Sequence, residues 1–283
     1  MVTPFASDMA PLPVTVVVPV RNEERNLPEC LSRLGGFAAV VVVDSGSSDC
    51  TEEIARAAGA EVLQFEWNGG FPKKRNWALL THSFKTPWVL FLDADEYVTP
   101  AFVTELLRVL PGSPHSGYWV QFTNHFLGRE LRFGQPMRKL ALFRIGSGLY
   151  ERIDEARWSG LDMEVHEHPL LEGTVGELAA HIEHNDYKGL HAYIARHNDY
   201  SSWEASRFRR LADSPEAWER FTPDQRRKYK SLDCWWLAPA YFFHSYFWKQ
   251  GFRDGFAGFA FSVMKAIYFF QIRLKILEGR RRV

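Results

Sequence analysis

Four short apolar runs punctuate the first hundred residues, and polar residues or glycines follow each one. Thr15 to Val18 is a β-branched run closed by Pro19, and Ala39 to Val43 ends at Asp44. Glu61 to Phe65 is a third run, and Trp88 to Leu92 leads straight into Asp93-Ala94-Asp95. Segments with helical spacing lie between them. A helix is predicted over Glu23 to Leu34, with Leu27, Leu31 and Leu34 on one face and Gly35-Gly36 as its stop. The turn from Ser45 to Asp49 can cap a second helix starting near Thr51. A third is predicted from about Pro72 to His82. This alternation implies an α/β fold whose mainly parallel sheet is covered on both faces.

In such sheets ligands gather outside the carboxyl ends of the strands. Pro19, Arg21, Asn22, Glu23, Asp44, Lys74, Arg75, Asn76, Asp93 and Asp95 are all predicted to converge there. If the fourth strand continues in register, Asp93 and Asp95 point the same way and Ala94 faces the other. Two hard oxygen ligands so placed suit Mg²⁺ or Mn²⁺, which complete their shells with substrate phosphates. The plain alternative is a solvated acidic turn. No G-x-G-x-x-G follows the first strand and no Walker A loop occurs, so neither common phosphate fingerprint applies.

Four segments match, in order, the signatures of the family 2 glycosyltransferases, which have the GT-A fold. They are Val17-Val-Pro-Val-Arg-Asn-Glu-Glu24, Val42-Val-Asp-Ser-Gly-Ser-Ser-Asp-Cys-Thr51, Lys74-Arg-Asn-Trp77 and Phe91-Leu-Asp-Ala-Asp-Glu96. The resemblance implies that Pro19, Arg21, Glu23 and Asp44 frame the nucleoside and that Arg75 meets the diphosphate. It also implies that Asp95 chiefly, with Asp93, holds the metal. Arg21 departs from the pattern, since many relatives carry an aromatic residue there; a guanidinium can also stack on a base. Without the family, Pro19 is a strand end, Glu23 a helix-terminal acid and Arg75 an exposed helix cation.

Past Pro111 to Pro114, strands are predicted over Tyr118 to Phe122 and Leu140 to Arg144. Met163-Glu-Val-His-Glu-His-Pro169 follows. The subgroup this chain resembles, the lipopolysaccharide-core and exopolysaccharide type, carries a Val-His-Glu motif that maps to Val165, His166 and Glu167. The resemblance makes Glu167 the base, with Glu164 as alternate; strand alternation would let only one of them reach the pocket. The plain alternative is a surface carboxylate beside a turn, and it suits Glu164 better than Glu167. Some GT-A enzymes recruit a histidine near the next strand's end, which points to His184 as a metal or phosphate contact, against an ordinary structural histidine.

Equal numbers of acidic and basic residues, 34 of each, leave no field to attract nucleic acid. Cys30, Cys50 and Cys234 are too scattered for a disulfide framework or zinc site. Met1 to Pro13 has no signal-peptide pattern. From Tyr187 onward the chain is predicted helical, with basic clusters and, after Cys234, many aromatics. Lys265, Arg273 and Lys275 interrupt the ~20 apolar residues of a simple spanning helix. Aromatic belts with flanking cations mark helices lying on a membrane; a helical subdomain or a homodimer interface is the competing reading.

The expected organisation is an N-terminal extension (1–13), a GT-A domain (14–186, nucleotide half 14–110 and acceptor half 111–186) and a helical, membrane-associating region (187–283). The expected function is inverting transfer of a sugar from a nucleotide diphosphate donor, UDP-linked, to a lipid-linked or cell-envelope saccharide. The expected location is peripheral, on the cytoplasmic face of the inner membrane. A nucleotidylyltransferase would need a Gly-rich basic loop after the first strand. A non-catalytic nucleotide-sugar or carbohydrate binder would lack the carboxylate pair or the base.

Overall fold

The computed structural model describes residues 10–134, 136–153, 155, 158–164, 167–186, 188–211, 218 and 221–281. It divides into two compact units. One runs up to Asn124 and resumes at Met137 through the end of the sheet; the other joins His125–Pro136 to the chain from Lys188 on.

The first unit opens with β1 (Leu12–Val20), α1 (Leu27–Ser32), β2 (Phe37–Asp44), α2 (Thr51–Ala57), β3 (Glu61–Gln64), α3 (Lys74–Thr81) and β4 (Trp88–Phe91). β5 (Glu96–Tyr97), α4 (Pro100–Val109) and β6 (Gly117–Phe126) follow. After the hairpin strand β7 (Arg129–Leu131) come β8 (Met137–Arg144), β9 (Gly148–Tyr150), β10 (Pro169–Leu171) and β11 (Val175–His184). The sheet order is β3-β2-β1-β4-β8-β6-β11-β5. β1, β2, β3 and β4 pair in parallel. β8 runs against both β4 and β6, which returns β6 to the direction of β4, and β11 is parallel to β6. Only β8 and β5 along this path are reversed, so the predicted α/β class with a mainly parallel sheet holds.

β1 shows why its sequence is nearly all apolar. Val14, Val16, Val18 and Val20 pack into one core with Leu27, Leu90 and Leu142. Val17 faces the other core with Val43, Val89, Phe91 and Phe143. Both faces are covered, so alternation with polar residues would bury unpaired groups. Thr15 is the one polar residue, and its hydroxyl meets Thr86 Oγ1 at 2.7 Å.

α1 starts later than the predicted Glu23. Asn22 adopts a left-handed φ of 55°, and the next backbone N–H groups are used elsewhere. Asn22 N donates to Ser47 Oγ (2.9 Å), Glu23 N to Thr51 Oγ1 (2.7 Å) and Glu24 N to Asp49 Oδ2 (3.3 Å). The loop after β1 is thereby stitched to the loop after β2, and the helix begins only at Leu27.

Among the described residues of the second unit, the α-helices are α5 (Gly189–Leu211), α6 (Pro223–Ser231), α7 (Leu237–Phe243) and α8 (Gly255–Arg281). Phe126 and Leu131 pack with Ala257 and Phe261, so the hairpin segment, read from sequence as part of the acceptor half, has its apolar partners here. Tyr193 stacks on His197 at 3.9 Å. Gly251–Arg280 is, by length and composition alone, able to cross a membrane, and only 22% of its most apolar 18-residue window is buried. The cations that interrupt it turn inward. Lys275 Nζ donates to Asn198 O (2.7 Å) and Ser201 Oγ (2.7 Å), and Arg273 Nε to Asp233 O (3.2 Å). Phe256, Phe259, Ile267, Phe270 and Leu274 recur at helical spacing along an exposed stripe.

Candidate active site

Register brings the polar strand ends together. Val20 lies opposite Asp44, and Val17 opposite Phe91, with Leu92 N donating to Val17 O at 3.1 Å. His184 ends β11 opposite both Asn124 and Glu96. Because β8 is reversed, its beginning, including Lys139, lies at this same edge.

The alternation expected through Asp93 and Asp95 stops at the end of β4. Ala94 and Asp95 form a turn closed by Glu96 N donating to Asp93 O at 3.0 Å. The two carboxylates therefore take different partners. Asp93 Oδ1 accepts from Arg75 Nη2 (2.6 Å) and Oδ2 from Lys139 Nζ (2.6 Å). Burial opposes its charge, yet Lys139 and Arg75 hold its carboxyl well below the usual range. Asp95 instead meets His184, Oδ2 to Nε2 at 3.3 Å. His184 Nδ1 lies 2.9 Å from Asn124 Oδ1, so both ring nitrogens face oxygen atoms. Burial works against an imidazolium there, but Asp95 raises its pKa above the ordinary value. Glu96 is fully buried against Lys139; burial and Asp93 push it up to about 7.

This donor set fits a small divalent cation. A carboxylate oxygen and an imidazole nitrogen 3.3 Å apart match neighbouring ligands around one ion, about 3 Å apart at bond lengths near 2.1 Å. Among the described residues no group of three or more His, Cys, Asp or Glu could hold a metal.

The first turn of α3 sends successive side chains to different parts of the unit. Lys73, just before the helix, pairs with Glu155 (2.8 Å) and Glu167 (2.7 Å). Lys74 Nζ donates to Val20 O at 2.9 Å and lies 3.3 Å from Asp162; burial lowers its pKa despite that partner. Arg75, expected against the diphosphate, is buried, and Nη1 donates to Glu164 O (2.5 Å) while Nη2 takes Asp93. Asn76 Nδ2 donates to Tyr150 O (3.1 Å) and its Oδ1 accepts from Tyr150 N (2.9 Å).

Glu164 and Glu167 are not on a strand, so the alternation argument does not apply. Both line one cavity with Trp67, Phe71, Lys73 and Glu155. Glu164 Oε2 accepts from Arg75 N (2.8 Å) and Oε1 from Asn76 N (3.0 Å), which makes it the anion closing the start of α3. Burial and the nearby Glu155 push Glu167 up to about 7 against the pull of Lys73. Val165 and His166 lie outside the described residues.

At the end of β2, Asp44 is buried and accepts from Ser47 N at 3.1 Å. Glu23 Oε2 accepts from Asn26 Nδ2 (3.0 Å), Pro19 is buried in β1, and Arg21 is exposed. Sequence reading missed Lys139, Lys73 and Glu155. Extending the predicted Leu140–Arg144 strand backward would have exposed Lys139 at the edge; nothing local marked the other two.

The family model for glycosyl transferase family 2 matches residues 15–159, about half of the chain and all four ordered motifs. The chain belongs to this family. This family 2 glycosyltransferase is similar to the lipopolysaccharide core biosynthesis glycosyltransferase LpsC of Rhizobium meliloti, 27% identical over 94% of this chain and 93% of that protein. It is also similar to glycosyltransferase AglJ of Haloferax volcanii, 31% identical over 49% of this chain and 43% of that protein. Among solved structures, TarS 1–349 of S. aureus is 14% identical over 95% of this chain and 92% of that chain, with a TM-score of 0.44. Glucosyl-3-phosphoglycerate synthase from Mycobacterium tuberculosis, in complex with Mn²⁺, UDP and glucosyl-3-phosphoglycerate, is 26% identical over 40% of this chain and 44% of that chain, with a TM-score of 0.30.

Proposed function

We propose that this family 2 glycosyltransferase moves a sugar, with inversion and with a divalent cation, from a UDP-linked donor to a lipid-linked or cell-envelope saccharide. The observation that carries the reading is the Asp95–His184 pair beside the Asp93 ion pairs, with Asp93 and Asp95 inside the span that the family model matches. The similarity to LpsC along nearly the full length of both proteins supports the acceptor class.

In this reading Asp95 and His184 hold Mg²⁺ or Mn²⁺, which when bound supplies positive charge to the departing diphosphate. Asp93 does not ligate directly; it fixes Arg75 and Lys139, whose charges stand behind the diphosphate. Pro19, Glu23 and Asp44 frame the nucleoside, and exposed Arg21 stacks on the base. Glu167 is the base. As the acceptor oxygen bonds to the anomeric carbon, its proton passes to the Glu167 carboxylate and the anomeric C–O bond to the diphosphate breaks with its electron pair. A carboxyl titrating near neutrality is matched to that task.

The exposed aromatics of the second unit, Trp235, Trp248 and Phe256 among them, support attachment at the cytoplasmic face of the inner membrane. We further propose the domain roles in that order, a GT-A catalytic region followed by a membrane-associating helical region.

The test is a panel of nucleotide diphosphate sugars with extracted lipid-linked saccharides as acceptors, with Mn²⁺ or with chelator. UDP release should need both the metal and a UDP-sugar, and Asp95→Ala should abolish it with the fold intact. Undiminished turnover in chelator would remove the metal from the reading. Glu167→Gln should bind donor normally while transfer falls about 10²–10⁴-fold; a silent substitution would remove Glu167 as base.

A further inference from the structure

We infer that Asn26 is a positioning residue that holds the Glu23 carboxylate toward the ribose hydroxyls of the donor nucleotide. The inference rests on the reading of Glu23 as part of the nucleoside frame, and it names the group that keeps that acid in place.

Asn26 stands immediately before α1, where an asparagine side chain ordinarily accepts from the first free N–H groups of the helix. It makes no such bond. The residue is buried, 1% exposed, and its amide is turned elsewhere. Nδ2 donates to Glu23 Oε2 at 3.0 Å and to Asp186 Oδ1 at 3.1 Å. Carboxylates accept, so it is the nitrogen of the amide that must face them, and its two hydrogens serve one acid each. The side chain thus serves these two acids and not the helix it precedes.

The backbone of Glu23 is fixed as well. Its N donates to Thr51 Oγ1 at 2.7 Å, and its O accepts from Asn26 N at 3.1 Å and Leu27 N at 2.9 Å. Only the side-chain torsions are then left, and the bond from Asn26 selects one direction for them. The far anchor is firm too. Asp186 lies two residues past His184, and Asn185 between them donates from N to Asp95 O (2.9 Å) and accepts at O from the Tyr97 hydroxyl (3.1 Å). Asn26 therefore ties the loop after β1 to the segment after β11, across 160 positions. The donors on a nucleotide's sugar are its hydroxyls, and an acid on a ribose hydroxyl is how dinucleotide folds hold that sugar. A carboxylate oriented in advance loses little freedom on binding, so more of the contact's strength is kept.

The test is calorimetric binding of UDP and 2′,3′-dideoxy-UDP to the full chain with Mn²⁺. The wild type should prefer UDP, and Glu23→Ala should remove the preference. Asn26→Leu should weaken UDP about tenfold and leave the dideoxy nucleotide unchanged. Added to Glu23→Ala, it should change neither affinity further. A merely structural asparagine would lower the melting temperature without touching the ratio of the two affinities. If Asn26→Leu does not fold, Asp186→Ala, which frees the amide at a half-buried partner, must still lower that ratio. Discrimination lost in Glu23→Ala but intact in the folded Asn26 variant, or in Asp186→Ala where that variant does not fold, overturns the inference alone. A wild type that does not discriminate, or discrimination that survives Glu23→Ala, takes Glu23 away from the ribose and the inference with it.

Discussion

Arg75 donates from Nη2 to Asp93 Oδ1 at 2.6 Å while its Nη1 donates to the backbone oxygen of Glu164. One guanidinium thus ties the start of α3 to the loop after β4 and to the segment that carries Glu167. Its importance is geometric as much as electrostatic, because a planar fork reaches two acceptors that a lysine could not hold together.

Arg75→Met should therefore be costly. Breaking a buried pair typically loses about 3–5 kcal/mol, and the low end is expected because Lys139 still faces Asp93. Urea unfolding measures it; a loss below about 1 kcal/mol, the scale of exposed pairs, would mean that the contact is dispensable.

Glu164→Ala separates capping from catalysis. It strips the buried N–H groups of Arg75 and Asn76 of their acceptor, at a cost of about 1–3 kcal/mol per unsatisfied group. The melting temperature should fall while transfer by the surviving folded protein stays near wild type. A collapse in rate with unchanged stability would make Glu164 the base.

Acid should weaken the first unit through Asp93. Its folded pKa is depressed by Lys139 and Arg75 against burial, so its stabilisation is fully present above the ordinary value of 3.8 and is lost as pH falls below it. Unfolding midpoints between about pH 5 and 2.5 should drop more steeply for the wild type than for Asp93→Asn. Parallel curves would show that the ion pairs contribute nothing to acid stability.

Membrane attachment can be tested on the side chains themselves. Trp248 and Phe256 are 79% and 72% exposed, so replacing both with serine should leave the fold stable. The wild type should sediment with phosphatidylglycerol vesicles, less so at high salt. The double variant should bind at least about tenfold more weakly, since each large apolar side chain is worth roughly 1.5–3 kcal/mol when fully buried. Wild-type protein that ignores vesicles and dimerises through these residues would overturn the assignment.

The run of apolar strands and the polar residues at their ends were legible from the chain alone, and so were the α/β class and the family. Asp44 and Asp93 could be sent to one sheet edge because strand direction and periodicity depend on sterics within a few residues, whereas His184 came from the family resemblance. The same local rules failed at Ala94-Asp95, where a tight turn replaces the strand, and at Glu23, where the left-handed Asn22 precedes it and the loop is tied to Thr51 instead. Tertiary structure alone decided the charge partners. Lys73 finds Glu167 across 94 positions and Lys139 finds Asp93 across 46. Such pairings depend on which strand ends become neighbours in a low-dielectric edge, and no local pattern encodes that distance. Chain order specified which acids exist and where their strands stop; folding decided which acid meets a cation and which meets a histidine.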